Sequence, residues 1–348
     1  MIRLAELLPP YPTRLWQLMK QVGVTDAVSL LPYDPPDDSR NTPRSWERSH
    51  GKLDMEEVPR QSDGSYPWHL EQLRLLQTRF AAGGLRLSVI ESSPPMEKVR
   101  LGLPGHNEEI DEICLMLRAM GTLNSPVWCY NFLAVASWGR TSLNTPARGR
   151  ALVTAFNQAD VPPLSLPAGV NLTHAQLWDN LGYFLHRVIP VAEAAGVRLA
   201  LHPDDPPLPW LGDVPRIMTT VEAFDRLLAL APSPANAITF CQGNFALMTK
   251  DLPGVIQHFG RQGKLAFIHF RNVRGTPECF EETFHDEGQV DMLACLRAYQ
   301  AIDFDGALRP DHVPTLAGET NVSAGYETLG RLFAVGYVRE LTEAVYGR

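Results

Sequence analysis

The 348-residue chain has little that would commit it to a nucleic acid, a membrane or a disulfide framework. Lys and Arg number 31 against 39 Asp and Glu, a formal charge of −8, so no basic surplus is available to neutralise a phosphate backbone. No uninterrupted apolar run approaches the roughly eighteen residues of a membrane span. The opening Met1-Ile-Arg-Leu-Ala-Glu6 lacks the basic-then-apolar order of a secretion signal, and a cytoplasmic protein is expected. Cysteines are few. The five, at 114, 129, 241, 279 and 295, are odd in number and never in CxxC spacing, which excludes a disulfide scaffold and fits free thiols in a reducing compartment. No G-x-G-x-x-G follows the first apolar run, which weighs against a dinucleotide site, and no short internal repeat is present.

What is present is an alternation. Short apolar runs that read as strands fall at 2–8, 25–31, 85–90, 126–130, 197–201, 237–240, 265–270 and 304–308. Helical periodicity follows over 12–22, 68–82, 107–120, 173–195 (with Pro190 as a possible kink), 220–230, 253–261, 290–301 and 323–346. Eight β-then-α units imply parallel strands, and polar residues at the strand C-termini favour a closed (β/α)8 TIM barrel over an open doubly wound sheet. One barrel domain spanning 1–348 is expected, with loop insertions near 34–66 and 141–172, where the rhythm breaks. The segment 274–289 also reads as a loop.

The sharpest stretch is Arg198-Leu-Ala-Leu-His-Pro-Asp-Asp-Pro-Pro207. An apolar strand gives way abruptly to His202, Asp204 and Asp205, because Pro203 cannot continue a central ladder. Three later strands repeat the design and end in Cys241, His269 and Asp311. The gaps from His202 to Cys241, to His269 and to Asp311 are 39, 28 and 42 residues, each about one β/α unit. In a closed barrel these ends meet at one mouth. Each residue alone has an ordinary structural explanation, but two imidazoles, a thiolate and a carboxylate together form a set for Mn²⁺, Fe²⁺ or Zn²⁺ rather than Mg²⁺ or Ca²⁺.

These motifs resemble the mannonate dehydratase family. The resemblance is carried by Val89-Ile-Glu-Ser-Ser-Pro-Pro95, Lys98-Val-Arg-Leu-Gly-Leu-Pro104, Val127-Trp-Cys-Tyr-Asn-Phe132, Trp138-Gly-Arg140, His202-Pro-Asp-Asp-Pro-Pro207, Ile268-His-Phe-Arg-Asn-Val273, Arg309-Pro-Asp-His312 and Gly325-Tyr326. It implies a xylose-isomerase-like barrel and a Mn²⁺ or Fe²⁺ site on His202, Cys241, His269 and Asp311, with Zn²⁺ able to occupy it in purified protein. It also implies His312 and Tyr326 as the acid/base pair, and conversion of D-mannonate to 2-keto-3-deoxy-D-gluconate in hexuronate breakdown. A sugar acid calls for a cation beside its carboxylate, for which Arg271 and Arg140 are the expected partners, with Asn131, Asn272 and Asp204 as further substrate contacts. A homodimer acting on a small sugar acid is expected. Gln242, Asn244 and Val313 depart from the family pattern around the substrate. The alternatives are a metal-dependent sugar isomerase or epimerase on the same barrel, and a non-catalytic homologue.

Overall fold

Eight runs dominated by Val, Ile, Leu, Phe and Ala lie side by side as parallel strands: β1 (Arg3–Leu8), β2 (Asp26–Ser29), β3 (Arg86–Ile90), β4 (Val127–Tyr130), β5 (Arg198–Leu201), β6 (Asn236–Cys241), β7 (Leu265–Phe270) and β8 (Ala307–Pro310). In the computed structural model, which describes residues 2–32, 55, 58, 60, 61 and 64–347, they close into a barrel in chain order, with β1 pairing both β2 and β8. Helices flank it, as the β/α alternation requires. The eighth strand lies slightly later than the apolar run suggests. Asp303, at φ +53°, turns the chain ahead of it, and the Gly306 carbonyl then accepts from Arg3 N.

Side chains alternate across a strand, so every second residue enters the barrel. The inner core holds Ala5, Val28, Val89, Val127, Ala200, Ala237, Phe267 and Ala307. The alanines make room for the single ring of Phe267. One step of two residues towards the C-terminal end of each strand leads from apolar to polar. Val89 leads to Glu91, Val127 to Cys129, Ala200 to His202, Phe267 to His269, and Ala307 to Arg309. The registers pair Cys241 with His269 and His269 with Arg309, so these side chains share one layer.

The long helix His174–Ala195 carries the expected Thr173 cap, as a full capping box with Gln176, and runs through Pro190. The helix expected from Asn107 begins at His106, with Gly105 at φ +93° in the cap position. Two segments read as loops contain strands instead. Ser142–Pro146 pairs with Leu152–Asn157, and Val273–Thr276 with Cys279–Glu282, and together they form a four-stranded antiparallel sheet. Phe156 and Phe280, paired in register, stack at 5.7 Å to weld the hairpins. Strands this short become stable only against a partner far along the chain, so local periodicity misses them. The insertion expected over 34–66 lies mostly outside the described residues. Short helices Glu97–Leu101 and Gln242–Met248 went unread, and the last helix begins at Thr328, leaving Tyr326 in the turn before it. No helix among the described residues is long and apolar enough to cross a membrane.

Candidate metal centre and cavity

A cavity of about 460 Å³ opens at the C-terminal ends of the barrel strands. Donor atoms of His202, Cys241 and His269 lie within 4.8 Å of one another beside it. Asp311 joins this group through its Oδ2, 3.4 Å from His269 Nδ1. His202 Nδ1 contacts the Pro203 carbonyl at 2.7 Å, which fixes the proton on that nitrogen and turns Nε2 towards His269 Nδ1, 3.2 Å away. Two ring nitrogens facing each other beside a thiol and a carboxylate make a donor set suited to a transition-metal cation. Burial raises the Cys241 thiol, but Arg271 (Nη1 3.4 Å from Sγ) and the two imidazoles outweigh it and bring it down to about 6, so the sulfur is a thiolate at neutral pH. Burial and Arg309 oppose charge on His269, yet Glu91 and Asp311 hold its pKa well above the usual value, which shows how strongly this spot favours positive charge.

A second group, Glu91, Cys129 and His269, also brings donor atoms within 4.8 Å. It already has its cation. Arg309 grips both oxygens of Glu91, through Nε to Oε2 at 3.1 Å and Nη2 to Oε1 at 2.8 Å. Burial works against ionisation of Glu91, but Arg309 and His269 pull it down to about 2. Cys129 stays a thiol, because burial and then Glu91 push it up.

On the cavity rim, Tyr326 Oη donates to Asp311 Oδ1 at 3.1 Å and lies 3.5 Å from His312 Nε2. Trp138 meets both rings edge-on, at 5.3 Å from His312 and 6.5 Å from Tyr326. Burial carries His312 down to about 4 despite Asp311 and Glu282, so the imidazole is neutral. Burial, reinforced by Asp311, raises Tyr326 above the ordinary tyrosine range, so the phenol keeps its proton. His312 sits at φ +47°, with Val313 N donating to the Gly325 carbonyl at 2.8 Å. A Cβ on Gly325 would come within 3.3 Å of His312 Nδ1, so the glycine leaves the ring its room.

Most of the substrate contacts expected from sequence have other partners in this structure. Arg140 and Arg271 are fully buried and face carboxylates rather than the cavity. Arg140 Nη1 and Nη2 bond both oxygens of Asp205 at 2.8 and 2.9 Å, and Nη2 reaches Glu282 at 2.7 Å. Arg271 bonds Glu282 Oε2 at 2.9 Å and Asp205 Oδ2 at 3.0 Å. Asp204 is spent on the backbone N–H groups of Ile217 and Met218, both at 2.9 Å. Asn272 ties down a loop, accepting from Val290 N at 2.9 Å and donating to the His285 carbonyl at 3.0 Å. Of the five, only Asn131 lines the cavity, where its Oδ1 accepts from Arg100 Nη2 at 3.2 Å. The guanidinium groups that do line it belong to Arg100, Arg309 and Arg331. Sequence reading gave no role to Arg309, Cys129, Asp205 or Glu282. The two-residue step above the inner core would have found the first two, whereas nothing local marks Glu282, which arrives on the unread sheet.

The chain is similar to known proteins over most of its length. The family profile described as D-mannonate dehydratase (UxuA) matches residues 58–171 and 165–347. Mannonate dehydratase 2 of Halalkalibacterium halodurans is 35% identical over 305 residues, covering 80% of this chain and 88% of the relative. The crystal structure of mannonate dehydratase from Streptococcus suis serotype 2 superposes with a TM-score of 0.83 at 30% identity, over 99% of this chain and 93% of that one. L-ribulose 3-epimerase, with a TM-score of 0.58 and 13% identity over 100% of this chain and 96% of its own, shares the fold alone.

Proposed function

The chain belongs to the D-mannonate dehydratase family, and on that footing we propose that it removes water from D-mannonate, or a closely related aldonate, to give 2-keto-3-deoxy-D-gluconate in hexuronate breakdown. The observation that carries this reading is the meeting of the His202, Cys241 and His269 donor atoms within 4.8 Å, next to a neutral His312 and a protonated Tyr326. His202, Cys241, His269 and Asp311 are the residues assigned to a divalent ion, Mn²⁺ or Fe²⁺, with Zn²⁺ tolerated because one donor is a thiolate. When bound there, the ion would supply Lewis-acid stabilisation of the negative charge that develops as a proton beside a carboxylate is removed.

The protein's own groups then divide the proton work. His312, uncharged at neutral pH, accepts the C2 proton. Tyr326, which retains its phenolic proton, supplies it to the C3 hydroxyl, which leaves as water. The resulting enol rearranges to the 2-keto acid. Asp311 Oδ1 accepts from Tyr326 Oη and so holds the phenol 3.5 Å from His312 Nε2, which keeps donor and acceptor side by side. The isomerase or epimerase reading relies on several carboxylate ligands. Here the strand-end Glu91 is engaged by Arg309, which favours the lyase.

The test is a screen of Mn²⁺-loaded protein against aldonic acids, reading 2-keto-3-deoxy acid formation, alongside His312→Asn and Tyr326→Phe. Both variants are expected to keep their metal and lose turnover by about 10²-fold or more, the ordinary contribution of a general acid or base. Turnover near wild type in either variant removes that residue from the mechanism. No keto acid from any aldonate removes the reaction.

A further inference from the structure

Glu91 and Arg309 stand in the polar layer of the barrel and have no part in the chemistry above. Their contacts close a ring with two of the proposed ligands. Arg309 holds Glu91 through both carboxylate oxygens, at 2.8 and 3.1 Å. Glu91 Oε1 lies 3.2 Å from His269 Nε2, close but off the axis of an aligned hydrogen bond. His269 Nδ1 lies 3.4 Å from Asp311 Oδ2, and Arg309 Nη1 returns to Asp311 Oδ1 at 2.8 Å. Arg309 and His269 are register neighbours on β8 and β7, so the backbone sets the ring's width. Arg309, His269 and Asp311 are almost wholly buried.

We propose that Glu91 and Arg309 are positioning residues that aim the ligand set. Glu91 draws the His269 proton to Nε2 and leaves the Nδ1 lone pair facing the site. Arg309 occupies Asp311 Oδ1, which also accepts from Tyr326 Oη, so Asp311 presents Oδ2 alone. One guanidinium therefore sets the angle of the carboxylate ligand directly and of an imidazole ligand through Glu91. Glu91 itself is no ligand, because both of its oxygens are taken by Arg309. The ring also links the ligands to Tyr326, so a shift of Arg309 moves the acid with the site.

This inference rests on the ligand assignment above, and the experiment separates the two. Mn²⁺ affinity is measured by calorimetry on chelator-stripped protein for wild type, Cys241→Ala, Asp311→Ala, Glu91→Gln, Arg309→Met and the double variant Glu91→Gln/Arg309→Met. Co²⁺ spectra are recorded for those that bind. If Cys241→Ala and Asp311→Ala bind Mn²⁺ like wild type, the ligand assignment fails and the proposal with it. If they abolish binding, Glu91→Gln and Arg309→Met are each expected to weaken it by about 10- to 100-fold, as loss of groups that orient ligands typically does. The double variant is expected to match Arg309→Met alone, because both act along one chain of contacts. The Co²⁺ d–d bands should shift in Glu91→Gln while the thiolate-to-metal band persists, a change that loss of stability alone would not produce. Wild-type affinity and spectra in Glu91→Gln and Arg309→Met overturn the proposal. Complete loss of metal in Glu91→Gln overturns it the other way, making Glu91 a ligand. Should Arg309→Met fail to fold, the near-isosteric Glu91→Gln decides alone.

Discussion

Glu109 lies on the helix His106–Thr122, with its carboxylate turned onto the start of the helix Glu97–Leu101, where Val99 N donates to it at 3.0 Å. The other oxygen, Oε1, is buried without a hydrogen-bond partner. Burial outweighs the two backbone bonds and raises the carboxyl to about 7. The folded protein therefore holds this proton more tightly than the unfolded chain, whose glutamate titrates near 4.5. Stability from this group is full at low pH and is lost as pH rises from about 4.5 through about 7, by about 3 kcal/mol at roughly 1.4 kcal/mol per unit. Glu109→Gln should remove that slope. Urea unfolding at pH 4.5 and 8 should show the variant gaining about 3 kcal/mol on wild type across the interval, and parallel curves would refute the assignment. Residues of this kind are hard to read from sequence, because the environment decides. Cys241 and Cys129 share the barrel interior and full burial, yet one is a thiolate and the other a thiol, since only Cys241 has Arg271 at hand. Strand-end spacing picked out Cys241, but could not tell that Arg140 and Arg271 are consumed by Asp205 and Glu282.

Those four charges matter at the level of elements. Glu282 sits on the strand Cys279–Glu282 of the four-stranded sheet, Asp205 follows β5, Arg271 follows β7, and Arg140 precedes the strand Ser142–Pro146. The sheet is therefore fastened to the barrel by an alternating Arg–carboxylate cluster in which every side chain is at most 3% exposed. Removing one member strands the others. Glu282→Gln should destabilise the fold by about 3–5 kcal/mol, the range for breaking a buried pair, measured by urea unfolding. A loss below about 1 kcal/mol would mean that the cluster is not a fastening. The barrel strands were legible because each falls on a short, mainly apolar run that gives way to Pro or a polar residue. The sheet was not, because Leu152–Asn157 pairs with Cys279–Glu282, a partner far along the chain that local periodicity does not reveal.

Across the whole molecule, the proposed metal site draws on the ends of four different strands and would tie barrel closure to ion binding. Mn²⁺ at a hundredfold over its Kd should stabilise the folded protein by about 2.7 kcal/mol, seen as a rise in Tm that EDTA reverses. Cys241→Ala should show no such rise, and an undiminished one would exclude the thiolate from the site. The architecture was readable because eight β/α units admit few arrangements, and because four polar strand ends at one-unit spacing make sense only around a shared mouth.

The proposed donors all sit at the C-terminal ends of β5 to β8, whereas Leu30, Ser92, Asn131 and Leu133 line the cavity from the ends of β2 to β4. The two arcs of the rim answer to different demands. Substitutions at these four positions change the shape and polarity of the cavity wall without replacing a proposed donor or Glu91, the residue proposed to orient one. Selectivity among aldonates can therefore be sought on that arc, apart from the proposed donor set.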